Sequence, residues 1–339
     1  MKAYQIGSQT GLDSLTAVTR PEPVPGHGEV ILKPRLACLN HRDLLVLAGT
    51  YGARKPEDRI PVSEGIAEVV ALGDGVTNVA VGDRVIFAHF VTWLDGAFSP
   101  TAFAYDIGIT HDGWLAERLR VPAAPLIRVP DSVTDEQAAP LASAALTAWN
   151  AVVEVGQVKA GDLVLTLGTG GVSIFALQIA KMNGARVAIT SSSDDKLAFA
   201  RSLGADILIN YRTHEDWAAE LMRQTGGAGA DIIVENGGQA TLSLSIAAAA
   251  ANARVVIIGG LAGNVSSGLP NYTSIIGKNL TIRGIAEGSK AMLARLLRAV
   301  EANGIKPVID KRFHFNDVPQ AYAYLKSGEH VGKVLIAFD

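Results

Sequence analysis

The hydrophobic positions between residues 160 and 287 alternate between short continuous runs and runs at helical spacing. Residues 163–167 form a continuous apolar run with β-branched content, which is typical of a strand buried on both faces of a parallel sheet. Behind this run, apolar residues recur at helical spacing from Val172 to Ala180. Further strand-like runs lie at 186–190, 206–210, 231–235, 254–258 and 280–285. The alternation predicts an α/β fold whose doubly wound parallel sheet is covered by helices on both faces.

The pattern is different in the first 125 residues, where short strand-like runs are separated by glycine-rich and proline-rich turns. These runs lie at 2–6, 29–36, 67–72 and 84–88, and they predict a small β-rich, mainly antiparallel and partly barrel-like unit. The tail from residue 288 alternates helix and strand without extending the parallel series, so we assign it to the same unit. The sequence therefore predicts two domains, one of residues 1–125 with 288–339 and one of residues 126–287.

An irregular insert between residues 89 and 113 carries five aromatic residues: Phe90, Trp93, Phe98, Phe103 and Tyr105. Two interpretations of the insert remain open. It either forms an apolar wall over a substrate or is a packed loop.

Composition narrows the class of protein. The chain has 339 residues, of which 48% are hydrophobic and 19% charged, as expected for a globular enzyme of two domains. A formal net charge of −3 gives no reason to expect nucleic acid or an anionic membrane as partner. No apolar run is expected to span a bilayer, and the first residues do not resemble a signal peptide, so we expect a cytoplasmic protein. The single cysteine, Cys38, excludes an internal disulfide and a cysteine-based structural zinc site.

A glycine turn separates the run at 163–167 from the helical pattern behind it. Backbone N–H groups at a helix N-terminus are unpaired, and residues without side chains let a pyrophosphate approach them. We therefore assign Gly168, Gly170, Gly171 and Val172 to cofactor binding. Ser173 stands where the dinucleotide fingerprint has its third glycine, and we interpret this small residue as a tolerated departure.

The end of the next run decides which nicotinamide dinucleotide fits. A carboxylate there would bind the ribose hydroxyls of NAD and repel the additional phosphate of NADP. This chain instead places hydroxyls and cations in the region, namely Ser191, Ser192, Ser193, Lys196, Tyr211 and Arg212. They favour NADP(H) as the cofactor, although Asp194 and Asp195 leave NAD(H) open. The segment 193–195 also predicts a helix cap. Gly259, which follows the run at 254–258, is assigned to the same site.

Four motifs along the whole chain resemble the medium-chain dehydrogenase/reductase superfamily. They are Asn40-His41-Arg42-Asp43 with Gly49-Thr50-Tyr51, then Val81-Gly82-Asp83-Arg84-Val85, the glycine turn, and Gly332-Lys333-Val334. The resemblance implies a GroES-like catalytic domain split around a Rossmann domain. It also implies a homodimer formed through edge strands near residues 254–258, with a tetramer as the alternative.

The chain departs from the zinc alcohol dehydrogenase branch of that family. The three positions that hold the catalytic zinc in that branch are occupied here by Asn40, Ser63 and Ser143, and these do not form a zinc ligand set. Glu64 is retained, but one carboxylate does not hold a zinc. Arg42 replaces the hydroxyl of the family's proton relay. We therefore expect no zinc.

Without a Lewis acid, hydride goes most readily to an acceptor that delocalises the charge itself. The chain resembles the zinc-free, quinone-oxidoreductase-like branch, which implies hydride transfer from NADPH to a quinone or to a C=C conjugated with a carbonyl. The resemblance implies that Asn40, Asp43 and Tyr51 line the site and that Thr147 lies near the nicotinamide.

The role of each candidate remains open between two interpretations. Asn40 is either a polar contact to the substrate or a satisfied turn residue, and Asp43 is more often an orienting partner than a proton donor. Tyr51 is the best candidate donor to a developing oxyanion, with an exposed loop tyrosine as the alternative. One alternative function is a zinc-free alcohol or aldehyde dehydrogenase that uses Tyr51 or Arg42 in place of the metal. A second is an NADPH-binding sensor with little turnover.

Overall fold

The computed structural model describes residues 1–52, 57–261 and 270–338. The chain forms two compact units. The first unit comprises Met1–Leu146 and Gly288–Asp339, and the second comprises Thr147–Glu287. The first boundary therefore lies later than the one expected after residue 125. Residues 126–146 pack with the β-rich unit, because strand Ile127–Arg128 pairs within its sheet.

The strands of the described residues are numbered in chain order: β1 Lys2–Ile6, β2 Leu15–Thr19, β3 Glu29–Leu39, β4 Glu64–Leu72, β5 Arg84–Ile86, β6 Leu119–Pro122, β7 Ile127–Arg128, β8 Leu163–Leu167, β9 Arg186–Ser191, β10 Ile207–Asn210, β11 Ala230–Glu235, β12 Ala249–Ile257, β13 Thr281–Gly284, β14 Ile309–His314 and β15 Lys333–Ala337.

The helices are His41–Leu47, Asp135–Val155, Gly171–Met182, Asp194–Ser202, Trp217–Gln224, Leu242–Ala248, Tyr272–Gly277, Lys290–Asn303 and Val318–Ser327. Short 3₁₀ turns lie at Leu12–Ser14, Pro100–Ala104, Gly238–Ala240 and Phe315–Asp317.

The first unit contains a seven-stranded sheet with the strand order β14-β15-β3-β4-β5-β7, in which β6 also pairs with β3. A separate antiparallel pair is formed by β1 and β2. The pairs of the seven-stranded sheet are antiparallel except β14 with β15, which is parallel. The helix Val318–Ser327 connects these two strands, as a parallel crossover requires. The expectation of an antiparallel unit is therefore correct apart from this pair. The largest fully buried side chains of the unit include Trp114, Tyr322, Phe87, Ile6, Leu32 and Leu39.

The second unit is built on a parallel sheet with the strand order β10-β9-β8-β11-β12-β13. Chain order reverses between β8 and β11, because the chain leaves β8 towards β9 and later returns to β11 on the other side. This is the Rossmann order, and ligands bind at such a reversal beyond the carboxyl ends of the strands. The α/β fold expected from the alternating pattern is confirmed.

One expectation about this sheet is wrong. Residues 254–258 were expected to form an edge strand, yet β12 pairs with β11 on one side and with β13 on the other. The run at 280–285 forms β13 and takes the edge position, because a sixth parallel strand adds outside the fifth.

The helix Asp135–Val155 is long and apolar enough, by length and composition alone, to cross a membrane. Most of it is buried within the structure, so we interpret it as a core helix, as a segment that does not span a bilayer requires. It contains π-helical segments at Leu141–Ala145 and Asn150–Val155.

Candidate functional site

The glycine turn of the second unit connects the carboxyl end of β8 to the helix Gly171–Met182. Gly168 has a φ of 76°, a conformation that side chains disfavour. A Cβ atom built on Gly168 or on Gly170 meets no atom of the protein within 4 Å. Packing within the protein therefore does not explain why these two positions are glycine. This fits a phosphate that approaches the unpaired N–H groups of the first helical turn.

Ser173, which stands in place of the third glycine, has a specific role in this turn. Its hydroxyl donates to the carbonyl of Leu167 at 2.7 Å and accepts from Asn236 Nδ2 at 3.0 Å. Ser173 is 1% exposed. The serine therefore adds hydrogen bonds from the helix to the ends of β8 and β11 that a glycine could not make.

Glu235, at the carboxyl end of β11, is a site residue that sequence reasoning missed. Its Oε1 accepts from the N–H groups of Gly237 and Gly238 at 2.8 and 2.9 Å and from Thr241 Oγ1 at 2.7 Å. Ser245 donates to its other carboxylate oxygen. Glu235 is fully buried, so its carboxylate fixes the loop that follows β11. An acid followed by Asn-Gly-Gly directly after an apolar run was the available signal.

The predicted NADP-selecting residues lie at the carboxyl ends of β9 and β10. Ser191 ends β9 and is buried, and its carbonyl accepts from the N–H of Tyr211, which follows β10. Ser193 caps the helix Asp194–Ser202, as expected. Asn210 Nδ2 donates to Asp194 Oδ1 at 2.8 Å, so this carboxylate is engaged with β10.

Three further candidates complete this group. Ser192 directly precedes the cap residue Ser193, and Lys196 lies in the first turn of the helix that Ser193 caps. Gly259 follows β12, and a Cβ atom built on it meets only the Asn236 carbonyl oxygen, at 3.8 Å.

Thr147, the residue expected near the nicotinamide, is buried within the helix Asp135–Val155. It is the first residue of the second unit. Asn150, on the same helix, donates to the carbonyl of Glu287 at 2.8 Å and so joins the first and last segments of that unit.

In the first unit, Asn40 precedes the helix His41–Leu47, and its N–H donates to Asp43 Oδ2 at 2.7 Å. Asp43 is 2% exposed, and this burial raises the pKa of Asp43 to about 6. The hydrogen bond from Asn40 and the charges of Arg42 and Lys333 oppose that rise in pKa. The geometry favours Asp43 as an orienting partner of Asn40.

The side-chain amide of Asn40 is engaged at both ends. Its Oδ1 accepts from Lys333 Nζ at 2.5 Å, and its Nδ2 donates to Glu64 Oε1 at 2.8 Å. Because an ammonium group only donates, this contact fixes which end of the amide carries the oxygen. Lys333 Nζ also lies 2.7 Å from Glu64 Oε1 and donates to the Leu39 carbonyl at 2.8 Å. The geometry favours a structural, positioning role for Asn40.

An amide and two serines stand at the three positions that the sequence resemblance compares with a catalytic zinc site. Asn40 presents an amide bonded to Lys333, and Ser143 uses its backbone N–H to donate to Glu64 Oε2 at 2.7 Å. The Ser63 hydroxyl is buried and has no hydrogen-bond partner among the described residues. Burial raises the pKa of the Cys38 thiol well above its usual value, which disfavours a metal-binding thiolate. Within residues 1–52, 57–261 and 270–338, no group of three or more His, Cys, Asp or Glu side chains could hold a metal ion.

Val62, directly before Ser63, has a φ of 76° although it is β-branched and fully buried. Such a conformation is costly for valine and persists only where the surroundings impose it. The Val62 carbonyl accepts from the N–H of Trp114 at 3.0 Å, and a Cβ atom on Gly113 would lie 2.2 Å from that carbonyl oxygen. Close packing of the 113–114 backbone therefore holds the segment that places Ser63 and Glu64.

Arg42 lies in a buried network with two residues of the 89–113 insert. Its Nη2 atom lies 2.9 and 3.0 Å from the two carboxylate oxygens of Asp106, and its Nη1 atom lies 2.7 Å from His89 Nε2. His89 Nδ1 lies 2.7 Å from Asp106 Oδ1. Sequence reasoning gave His89 no role, because nothing in the spacing links it to Arg42 and Asp106.

Tyr51 is half-buried and packs against the core of the first unit. The guanidinium carbon of Arg42 lies 5.1 Å from the centre of the Tyr51 ring, within the range of a cation–π contact. The structure thus brings Asn40 and Asp43 together directly, and Arg42 links their helix to Tyr51.

The aromatic residues of the insert divide into two groups. Phe90 and Trp93 are buried, whereas Phe98 and Phe103 are 38% and 50% exposed. Phe103 makes edge contacts with Phe90 and Phe98, both at 5.4 Å between ring centres. The insert is therefore packed on its inner side and presents aromatic surface on its outer side, which leaves both earlier interpretations open.

Comparisons with known proteins cover nearly the whole chain. The model of the alcohol dehydrogenase GroES-like domain matches residues 26–131, and that of the zinc-binding dehydrogenase matches residues 171–302. A zinc-type alcohol dehydrogenase-like protein of Schizosaccharomyces pombe, C1773.06c, is 41% identical over 92% of this chain and 91% of its own. An acryloyl-coenzyme A reductase of Metallosphaera sedula is 28% identical over 93% of this chain and 94% of its own.

Solved structures of oxidoreductases and of related proteins are also similar to this chain over nearly its whole length. An NAD-dependent alcohol dehydrogenase has a TM-score of 0.90 and 33% identity over 99% of both chains. A quinone oxidoreductase of Pseudomonas syringae pv. Tomato DC3000 has a TM-score of 0.83 and 28% identity over 99% of both chains. The mycobacterial protein Rv1454c, solved in complex with NADPH, has a TM-score of 0.82 and 26% identity over 99% of both chains.

Proposed function

Because this chain belongs to the medium-chain dehydrogenase/reductase superfamily, we propose that it transfers hydride from NADPH to a quinone or an α,β-unsaturated carbonyl without zinc. Membership makes it an NAD(P)H-dependent oxidoreductase. The acceptor class, the preference for NADPH and the independence from zinc are the parts that we propose.

The observation that carries the proposal is the set of contacts at Asn40, Ser63 and Ser143. The side-chain amide of Asn40 is hydrogen-bonded to Lys333 and Glu64, and the backbone N–H of Ser143 donates to Glu64. Reduction of an unactivated carbonyl needs a group that stabilises an alkoxide, and zinc supplies this in metal-dependent dehydrogenases. A quinone or enone spreads the same charge over its own conjugated system, so hydrogen-bond donors suffice.

In the first unit we assign this donor role to the Tyr51 phenol. NADPH, when bound, would supply the hydride to the β-carbon of an enone, and the electron pair of the C=C bond would move towards the carbonyl oxygen. In the proposed geometry the Tyr51 hydroxyl donates a hydrogen bond to that oxygen, and solvent water supplies the proton that adds at the α-carbon and completes the reduction. Asp43 and Asn40 fix the start of the helix that carries Arg42, which contacts the Tyr51 ring.

The preference for NADPH is supported by the state of Asp194. The Asp194 carboxylate, which could otherwise favour NAD, accepts a hydrogen bond from Asn210. Ser191 at the end of β9 and Ser192 directly after it supply hydroxyls. Lys196 supplies a cation in the first turn of the helix Asp194–Ser202. A related structure holds NADPH. We therefore propose that the additional phosphate of NADPH is bound by Ser191, Ser192, Lys196 and the segment after β10 that includes Tyr211.

A zinc-free alcohol or aldehyde dehydrogenase is the second candidate. The similarity to the zinc-type alcohol dehydrogenase-like protein of S. pombe and to the NAD-dependent alcohol dehydrogenase favours it. Arg42 is a poor replacement for the metal, because both of its terminal nitrogens are bonded to Asp106 or His89. Tyr51 would then be the donor. An NADPH-binding sensor is the third candidate, and turnover with any acceptor excludes it.

We further propose that the chain forms a cytoplasmic homodimer through β13, the edge strand of the parallel sheet. Most residues of β13 are exposed, and the preceding helix Tyr272–Gly277 exposes 68% of Tyr272 and 80% of Ile276. A strand edge that no other described strand pairs with, beside exposed apolar side chains, favours pairing with a second copy. Light scattering of wild-type protein and of Ile282→Pro tests this arrangement, because proline removes one backbone donor from β13. The dimer should weaken in the variant, and an unchanged dimer would contradict the use of this edge.

The acceptor class is tested by following NADPH oxidation with a quinone, a 2-enone and an aldehyde in parallel, for wild-type protein and for Tyr51→Phe. Quinone or enone should react faster than aldehyde by at least about 100-fold in kcat/KM, equivalent to about 2.7 kcal/mol. Tyr51→Phe should lower kcat by about 10- to 100-fold. Preferential reduction of the aldehyde would contradict the proposal and favour the second candidate.

A further inference from the structure

Arg42 occupies an unusually constrained position for a cation at the proposed site. Its side chain is 11% exposed, and that of its ion-pair partner Asp106 is 4% exposed. The guanidinium spans both carboxylate oxygens of Asp106. This bidentate geometry fixes the plane of the guanidinium as well as its position.

The network also fixes the protonation of His89. A guanidinium only donates, so His89 Nε2, which lies 2.7 Å from Arg42 Nη1, accepts. The ring proton must then sit on Nδ1, which donates to Asp106 Oδ1 at 2.7 Å. Burial, followed by the charge of Arg42, lowers the pKa of His89 to about 4, so the ring is neutral near neutral pH. The neutral His89 ring and the ionised Asp106 carboxylate therefore both bind the Arg42 guanidinium.

That cation contacts a candidate substrate-binding group. The guanidinium carbon lies 5.1 Å from the centre of the Tyr51 ring. Within the described part of the chain, the charged and titratable groups that face Arg42 include Asp106 and His89 from the insert, and Asp43 and Tyr51 from its own segment.

We propose that Arg42 is a positioning residue for Tyr51, holding the phenol ring in place through the guanidinium that Asp106 and His89 clamp. The inference rests on the proposed function, because it assigns Arg42 to the donor of that same site. A cation held beside the phenol also favours hydrogen-bond donation by the Tyr51 hydroxyl to a substrate oxygen that gains negative charge. Asp106 and His89 act on the reaction only through Arg42.

The test is a double-mutant cycle between the pair Arg42–Asp106 and Tyr51. Arg42→Met alone would leave the Asp106 charge buried without a partner, so the variant used is R42M/D106N, which removes both charges. It should lower kcat by about 10-fold while the KM for NADPH stays within about twofold. In the Tyr51→Phe background the same change should lower kcat by less than about twofold, because its effect passes through the phenol. Arg42→Lys, which keeps the positive charge beside Asp106, should retain more of the wild-type kcat than R42M/D106N does.

The matched control is R84M/D135N, which removes a second partly buried Arg–Asp pair of the same unit. Arg84 Nη1 lies 2.8 Å from Asp135 Oδ1, and the two side chains are 18% and 21% exposed. This control should lower thermal stability without changing kcat. An equal loss of kcat from R42M/D106N with and without Tyr51 would overturn the role of Arg42 while leaving the proposed function intact. Full activity of Tyr51→Phe would overturn the role of Arg42 together with the donor role of Tyr51, whereas preferential reduction of an aldehyde by the wild-type protein would overturn the proposed function itself.

A readout without turnover separates the two proposals further. In protein labelled with 13Cζ-tyrosine, the Tyr51 resonance is assigned as the one lost in Tyr51→Phe. It should move or broaden in R42M/D106N and stay unchanged in R84M/D135N, whichever substrate the enzyme uses. A Tyr51 resonance that is the same in wild type and in R42M/D106N would overturn the positioning role.

Discussion

Lys333 Nζ lies 2.7 Å from Glu64 Oε1, and the two side chains are 4% and 0% exposed. The ammonium also binds the Leu39 carbonyl and Asn40 Oδ1, and Glu64 reaches the Ser143 N–H. This buried pair therefore joins the last strand of the first unit to the segments that carry Leu39 and Asn40, Glu64, and Ser143.

Replacing Lys333 by methionine should lower the free energy of unfolding by about 3–5 kcal/mol, because Glu64 would remain buried without its counter-charge. Lys181→Met is the matched control, since Lys181 pairs with Asp206 at 3.1 Å with both side chains about one third exposed. That surface pair should contribute less than about 1 kcal/mol. Urea unfolding measures both. Equal losses in the two variants would show that the buried pair has no special role.

Asp43 should make stability depend on pH. Its pKa is about 6 in the folded chain, above the ordinary value of 3.8, so the folded state binds more protons between these values. The contribution of Asp43 to stability is therefore fully present below about pH 4 and is lost as pH rises through about 6. Asp43→Asn, which cannot titrate, should lack this loss. Unfolding free energies of both proteins between pH 4.5 and 7.5 test the point, and a constant difference across that range would refute it.

Restoring the third glycine of the fingerprint should weaken the second unit. Ser173→Gly removes the hydroxyl that bonds Leu167 and Asn236 and places glycine within a helix, which together should cost about 2–3 kcal/mol. Ser173→Ala removes only the hydroxyl and should cost about 1–2 kcal/mol. Thermal unfolding of the two variants separates the contributions. A glycine variant as stable as wild type would mean that the serine is only tolerated.

Lys196 should discriminate between the two dinucleotides. Lys196→Met should lower kcat/KM for NADPH by about 10-fold, because a charge-assisted contact to the additional phosphate is lost, and should leave NADH within about twofold. Lys181→Met, on a neighbouring helix of the same unit, serves as control for a lost cation. Parallel kinetics with the two cofactors measure the effect. Equal losses for NADPH and NADH would remove the phosphate assignment.

The sequence was sufficient for elements whose burial pattern is local. The run at 163–167 forms β8 at the expected residues, and the helical spacing from Val172 to Ala180 falls within the helix Gly171–Met182. Both follow from continuous apolar character or helical spacing. Residues 126–146 were assigned to the wrong unit and β12 to the sheet edge, because neither property is encoded within the segment itself. Strand order depends on which neighbours pair across the sheet.

The site was predictable in its residue types and less so in its contacts. Asn40, Asp43 and Ser173 were identified from motifs, yet the partners that define their roles lie far away in sequence. Lys333 and Glu64 are separated by 269 positions. His89 and Asp106 carried no recognisable spacing, and their roles follow only from the fold that brings them to Arg42. Glu235 had a local signal, the Asn-Gly-Gly that follows it, and its partners lie within ten residues.

The measurement that tests the central claim most directly is NADPH oxidation by a quinone or 2-enone before and after exhaustive dialysis against EDTA, with zinc content measured on the same samples. Our account predicts less than about 0.1 zinc per chain and an unchanged kcat, because Asn40, Ser63 and Ser143 are not zinc ligands. Stoichiometric zinc, with activity lost on chelation and restored by added zinc, would contradict it.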